Sequence, residues 1–336
     1  MNHRLRLLAV AAALCCAGAV QAQSSVIAYG LLDMSAGSFE PSGGPRVWRA
    51  ENGGMTTSFF GVRGNEDLGG GLSARFALNS FLRADTGAAG RFDGDAFWAR
   101  DAYVGLSGAF GTSLLGRNTT PLFVSTLLFN AFGDSYAFSP SIRQLFTPQL
   151  LPFYGDTGWN NSLSYSSNER GGISVQLMGN LGEGAPNAAG KNYSWGMRYF
   201  NGPLGASFTW QKARNGVFGV PDGFSAQTTW QLGLSYDLGL AKLFGQYAEV
   251  DTNATLDTRS KLWSIGATVP LGGGKVLAQY GRTDTDLAGE PSVDTLSLGY
   301  DYELSKRTDV YGVYMNEKVS ALSRGDTLAA GIRLRF

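Results

Sequence analysis

The chain of 336 residues balances 27 lysines and arginines against 27 aspartates and glutamates, and carries 47 glycines, 20 phenylalanines, 14 tyrosines and 7 tryptophans. A near-neutral chain leaves no nucleic-acid footprint, and this abundance of glycine and aromatic residues suits many tight turns and strands rather than a helical bundle. Beyond the first 22 residues no apolar stretch approaches the ~20 residues of a membrane helix, so only a closed barrel, which leaves no sheet edge in hydrocarbon, could cross a bilayer.

Met1 to Ala22 has the form of a cleaved secretory leader: basic Arg4 and Arg6, an apolar run from Leu7 to Val20, and Ala19-Val-Gln-Ala22 ahead of Gln23. A lipidated Cys16 is the competing reading, but Ala13-Leu14-Cys15 lacks the small residue expected just before such a cysteine. Cleavage removes Arg4 and Arg6 and leaves 25 basic against 27 acidic residues, a net charge of −2. It also removes both cysteines and the single histidine, His3, so the mature domain of residues 23–336 has no disulfide, thiol or imidazole.

Strands are expected at 24–34, 57–64, 71–81, 96–106, 112–118, 159–167, 172–181, 192–201, 204–213, 227–237, 241–250, 260–269, 275–284, 293–303, 308–317 and 326–336. Their alternation is regular: Trp230, Leu232, Leu234 and Tyr236 oppose Gln231, Gly233, Ser235 and Asp237, and Leu296, Leu298, Tyr300 and Tyr302 oppose Thr295, Ser297, Gly299 and Asp301. A charge on the lipid face near the bilayer midplane costs about 2–4 kcal/mol, so uninterrupted apolar faces are what a membrane selects. A soluble sandwich also alternates, but rarely turns tryptophan, tyrosine and leucine outward in segment after segment. Tight links such as Asn65–Gly71, Asn201–Pro203 and Pro270–Gly274 alternate with longer ones at 35–56, 82–95, 182–191, 214–226 and 318–325, the rhythm of short turns on one side of a membrane and long loops on the other. The last strand sets Leu328, Ala330, Ile332, Leu334 and Phe336 against Arg333 and Arg335, as suits lipid on one side and water on the other.

Ser24-Ser-Val-Ile-Ala-Tyr-Gly-Leu-Leu-Asp33, Gly61-Val-Arg-Gly-Asn-Glu-Asp-Leu-Gly-Gly-Gly-Leu72, Ala102-Tyr-Val-Gly-Leu-Ser107, Leu115-Gly-Arg117, Gly299-Tyr-Asp-Tyr-Glu-Leu-Ser-Lys-Arg-Thr308 and the terminal Arg335-Phe336 follow one another along the chain. Together they resemble the general diffusion porins of betaproteobacteria. The resemblance implies an all-β fold: a sixteen-stranded antiparallel transmembrane β-barrel in a Gram-negative outer membrane, a homotrimer, with the third external loop folded inward to narrow each pore. It implies passage of ions and small hydrophilic solutes, contact with outer-membrane lipid and lipopolysaccharide, and Phe336 as a signal to the barrel-assembly machinery. The glycine-rich turn at 66–71 is not a phosphate cradle, since no helical pattern follows it and no Lys-Ser/Thr pair is present.

Selectivity resides in the narrowest ring of a pore, where a solute sheds part of its water. The segment from Thr119 to Gly158 lacks strand alternation and is apolar for a solvated loop, so packing on the inner wall is expected, with a short helix near Pro121 to Phe132. Its charges are Asp134, Arg143 and Asp156. Arg100 matches a wall arginine of the family's constriction and Arg143 lies near a loop arginine of anion-selective relatives, whereas Phe59 and Asn130 depart from an arginine or bulky residue and from an acid. Arg63, Arg75 and Arg117 complete the candidate constriction with Asp134 opposite, unless they serve as structural partners of carboxylates such as Asp33 or Glu66. Two unit charges about 10 Å apart in water interact by only ~0.4 kcal/mol, so the expectation is weak to moderate anion preference.

An enzyme is disfavoured because the mature chain has no histidine base and no close acidic pair on a lumen face. No cofactor or metal is expected. The rival readings are a structural or adhesive barrel with a plugged lumen, and a solute-specific pore with an aromatic track through Tyr136, Phe138 and Phe146.

Overall fold

A computed structural model describes residues 25–147, 153–181, 190–215, 220, 222–286 and 292–336. The expected leader, 1–22, lies outside the described residues, as do parts of the connections at 182–191 and 214–226. The first half of the barrel contains β1 (Ser25–Phe39), β2 (Val47–Asn52), β3 (Phe59–Gly69), β4 (Leu72–Arg83), β5 (Ala88–Ala89), β6 (Asp101–Gly108), β7 (Gly111–Thr119), β8 (Gly158–Ser166) and β9 (Ile173–Asn180). The second contains β10 (Tyr193–Asn201), β11 (Leu204–Ala213), β12 (Ala226–Asp237), β13 (Lys242–Asn253), β14 (Thr258–Leu271), β15 (Gly274–Thr285), β16 (Val293–Glu303), β17 (Thr308–Val319) and β18 (Gly325–Arg335). Between β7 and β8 lie α1 (Pro121–Leu128) and α2 (Pro140–Phe146).

Every ladder is antiparallel, and β1 pairs with β18 to close the sheet. Leaving aside the short β2 and β5, sixteen strands span the barrel, as the alternation predicts. Gln231, Ser235, Ser264, Gln279, Thr295 and Ser297 are buried, while their sequence neighbours Leu232, Leu234, Ile265, Leu296 and Leu298 are exposed. The period of two therefore puts polar side chains inward and hydrocarbon outward, the inverse of a soluble sheet with an apolar core. One aromatic ring from each of six successive strands, Trp195, Phe208, Trp230, Tyr247, Trp263 and Tyr280, forms a row on the outer face, with neighbouring rings such as Trp230 and Tyr247 5.2 Å apart. Such a row suits the interface between lipid tails and headgroups.

Three expectations need correction. The connection at 35–56 is shorter than read, because β1 continues to Phe39 and the chain returns at Val47; small residues such as Ser35 and Gly37 conceal the alternation there. The strand read at 96–106 begins only at Asp101, since Phe97 and Trp98 leave the ladder and cluster with Phe60. The turn read at 65–71 is mostly strand: β3 runs to Gly69, and only Gly70 and Gly71, with φ of 62° and 79°, make the reversal. That left-handed backbone is the one glycine adopts without penalty.

β2 and β3 are two parts of one strand. Met34 pairs with Asn52 and Leu31 with Phe59, so residues 53–58 leave the ladder as a bulge opposite Asp33. The Asp33 carboxylate accepts from the backbone N–H groups of Met55 and Thr56 at 2.8 and 2.7 Å and from the Tyr311 hydroxyl at 2.5 Å. A buried carboxylate thereby supplies the acceptors that the interrupted ladder denies to these donors.

Candidate functional site

The described residues between β7 and β8, 120–147 and 153–157, line the inner wall, and the local sequence explains how. Thr120-Pro121 and Ser139-Pro140 each place a hydroxyl before a proline; Thr120 Oγ1 accepts from Phe123 N and Ser139 Oγ from Ile142 N, both at 3.3 Å. Each pair caps a helix and sets the backbone of its first turn. The first helix agrees with the expectation near Pro121; the second was missed, although its Ser-Pro signal is the same.

Both helices bind the polar wall directly. Ser125 lies 2.7 Å from Ser207 on β11, and Thr126 accepts from Gln231 and, through its carbonyl, from Gln246. Ser141 lies 2.7 Å from Ser264, and Gln144 Nε2 donates to Gly281 O, Val293 O and Thr295 Oγ1 at 2.9–3.2 Å. Between and beside these bonds, Leu122, Phe129, Phe132, Phe138, Ile142 and Leu145 are almost wholly buried. Asn130 holds the turn after α1: its amide donates to the carbonyls of Thr126 and Gly133, and its Oδ1 accepts from Phe132 N and Ser139 Oγ. An acid there would lack the donor half of that arrangement.

The segment covers the wall from β10 to β17 and reaches the bulge, where Thr56 Oγ1 donates to Asp134 at 2.9 Å and Ser135 Oγ to Gly54 O. Thr56 also accepts from Arg333, which is paired with Asp301 and Asp309. Asp134 is thus held by the bulge.

The candidate arginines separate into two groups. Arg117 is buried and donates to the carbonyls of Ala99 and Gly158, to Asn160 and, at 3.2 Å, to Asp156. It fastens the base of the segment to the barrel, and its partner is Asp156 rather than Asp33 or Glu66. Arg143 on α2 makes a two-point ion pair with the buried Glu317 of β17 and also donates to Ala137 O. Their charges are compensated where they arise.

Arg63, Arg75 and Arg100 share the opposite wall. Asn65 pairs with Arg75 and Arg63 with Ala77, so Arg63 and Arg75 are diagonal neighbours on the lumen side of β3 and β4. Among the described residues neither has a carboxylate within ion-pair distance, and Arg100 has only Asp101 at 3.6 Å. Aromatic faces support two of them: the Arg63 guanidinium lies 4.4 Å from the centroid of Tyr29, and that of Arg100 3.7 Å from Phe59. Tyr29 and Phe59 meet edge to face at 5.7 Å. Stacking holds a guanidinium flat and leaves its in-plane N–H donors available. Phe59, the departure noted in sequence, is the platform for Arg100.

Sequence reasoning missed Arg91 in the connection after β5. It donates to both oxygens of Asp95 and, at 2.9 Å, to Asp156, so that Asp156 is shared by two arginines. Burial pushes the Asp156 carboxyl up, but Arg91 and Arg117 outweigh this and hold it below the usual carboxylate range. Only the fold brings these three together. Among the described residues no His, Cys, Asp and Glu cluster suits a metal ion.

The family described as Gram-negative porin matches residues 8–322. Outer membrane porin protein 32 of Delftia acidovorans is 32% identical, covering 93% of this chain and 88% of the relative, and an outer membrane porin protein of Bordetella pertussis is 28% identical over 98% and 99%. Among solved structures, the anion-selective porin from Comamonas acidovorans superposes with a TM-score of 0.79 at 26% identity, covering 94% of this chain and all of that one.

Proposed function

The chain belongs to the Gram-negative porin family, and we propose that Arg63, Arg75 and Arg100 set a weak to moderate anion preference in its pore. The protein is an outer-membrane channel for passive diffusion of ions and small hydrophilic solutes. One contrast carries the proposal: Arg117 on β7 and Arg143 on the inward segment are matched by Asp156 and Glu317, whereas on the facing wall Arg63 and Arg100 lie on aromatic rings and, among the described residues, Arg63 and Arg75 have no carboxylate partner. An anion passing between segment and wall finds donors that, among the described residues, no nearby carboxylate has claimed, apart from the distant contact of Arg100 with Asp101.

The family is one of channels rather than enzymes. A trimer built on the outer face around β17, β18 and β1 suits the small residues there, Ala36, Gly312 and Ala330, which leave shallow apolar hollows where the aromatic row is absent. Lipopolysaccharide would surround the remaining perimeter. Phe336, whose backbone exchanges hydrogen bonds with Gly30 at 3.1 Å, would present the end of the last strand to the assembly machinery. Residues 1–22 would be removed on export, which amino-terminal sequencing of the mature protein reads directly.

The test is reversal potential across a planar bilayer under a salt gradient near 0.1 M, where the Debye length is about 10 Å. Stepwise conductance with a reversal potential of anion-preferring sign, reduced by Arg63→Gln, Arg75→Gln and Arg100→Gln together, supports the reading. Inserted but silent protein would favour a plugged structural barrel.

A further inference from the structure

We propose that the cavity between the 53–58 bulge, the connection from β4 to β6 and the β7–β8 segment is a docking site for a single-ring aromatic carboxylate on its way to the constriction. The proposal rests on the channel reading and adds a solute class and a site.

The cavity holds about 330 Å³, at the small end of the range for ligand pockets. Its lining includes Phe92, Tyr136, Phe146 and Phe153, with Arg83 and Arg91. Tyr136 and Phe146 belong to the aromatic track considered from sequence, but Phe138 is wholly buried against Tyr311 and takes no part. Four rings around one small space give an aromatic solute both apolar burial and edge-to-face contact.

The polar end of the site is Arg83. Its Nη2 donates to Asp93 at 2.6 Å, but the Asp93 side chain is 95% exposed, so water screens that pair and can replace it. Arg83 Nε is buried and, among the described residues, has no hydrogen-bond partner, so it is closed to solute as it is to water. The Nη groups are the part of the guanidinium within reach of a carboxylate in the cavity, and their acceptor among the described residues, Asp93, is one that water can displace. Arg91 differs, because Asp95 and Asp156 already occupy it.

Net charge does not drive this selection. Arg83, Arg91 and Arg117 face Asp93, Asp95 and Asp156, and the charges cancel. An anion without a ring gains one hydrogen bond and little else; an aromatic cation finds its acceptor, Asp156, held by two arginines. Ring and carboxylate are both required. The exit is also in place: the Phe81 ring takes Arg91 at 5.6 Å and Arg100 at 5.7 Å, so the cavity adjoins the wall that bears the constriction arginines.

The experiment uses the purified full-length mature protein with benzoate, acetate and benzylamine as probes. Single-channel current in chloride salt is read first and decides the channel reading alone. Concentration-dependent interruption of that current, and calorimetry in detergent for binding without current, decide the docking proposal. Expected is half-maximal effect of benzoate at a concentration at least tenfold lower than acetate or benzylamine, with Arg83→Gln and Phe92→Ala each weakening benzoate several-fold. Equal effects of benzoate and acetate, no calorimetric binding of benzoate, or benzoate binding insensitive to both substitutions would each overturn it.

Discussion

Arg143 on α2 and Glu317 on β17, 174 positions apart in sequence, form a two-point ion pair in which Nε and Nη2 donate to the two carboxylate oxygens at 3.0 and 3.1 Å. An arginine that sequence alone would count as a free positive charge in the pore is therefore part of a neutral clamp between the inward segment and the wall.

The clamp predicts opposite effects from its two halves. Glu317→Gln keeps the side-chain shape, leaves Arg143 uncompensated and should raise the anion-to-cation permeability ratio roughly twofold, the factor implied by ~0.4 kcal/mol per charge at about 10 Å in water. Arg143→Ala exposes Glu317 and should lower the ratio by a similar factor. The double variant should return near the wild-type reversal potential, and a shift larger than either single change would refute the neutral pair.

Along the open wall, Arg63→Gln, Arg75→Gln and Arg100→Gln should lower anion preference cumulatively near 0.1 M salt. In about 1 M salt, where the Debye length is ~3 Å, wild type and triple variant should become nearly indistinguishable. A preference that survives high salt would point to a short-range binding ring instead.

Gln144 fastens α2 through three donated bonds and one accepted from Thr283. Gln144→Leu strands buried polar groups at about 1–3 kcal/mol each. Expected are a lower unfolding temperature and noisier open-channel current. Unchanged traces and unchanged melting would show that the other wall contacts suffice.

Acid should release the base of the segment late. The carboxyl of Asp156 is held below the usual range, so its stabilising contribution is complete above the unfolded value of about 3.9 and is lost as pH falls through the lower folded value. The part of the acid response that depends on Asp156, read as the difference between wild type and Asp156→Asn in conductance and closure frequency, should be lost only below roughly pH 4. Asp156→Asn should show the acid behaviour at neutral pH, with Arg91 still tied to Asp95.

Gly30 lies where the barrel closes on itself. A β-carbon there would stand 2.6 Å from the Phe59 carbonyl oxygen and the same distance from the tip of the Phe336 ring. Gly30→Ala should therefore reduce the yield of heat-resistant folded barrel on gels, and deletion of Phe336, which loses the backbone pair to Gly30, should do so by a different route.

The sequence by itself determined the barrel. Alternation over ten or more residues reports which side of a strand meets lipid, and this depends only on a period of two, so 204–213 and 293–303 are read to the residue. It also located the inward segment, because a long apolar stretch without alternation needs a wall to cover it. Which arginines remain free was decided only by the tertiary structure. Glu317, Asp156 and Phe59 stand far in sequence from Arg143, Arg91 and Arg100, and nothing local distinguishes Arg143, neutralised at 3 Å, from Arg63, left to the water on a tyrosine face. Pairing distances of that kind exist only after strands and loops far apart in sequence close into one cylinder. The charge a solute meets is thus a property of the closed barrel, while the barrel itself is a property of the pattern.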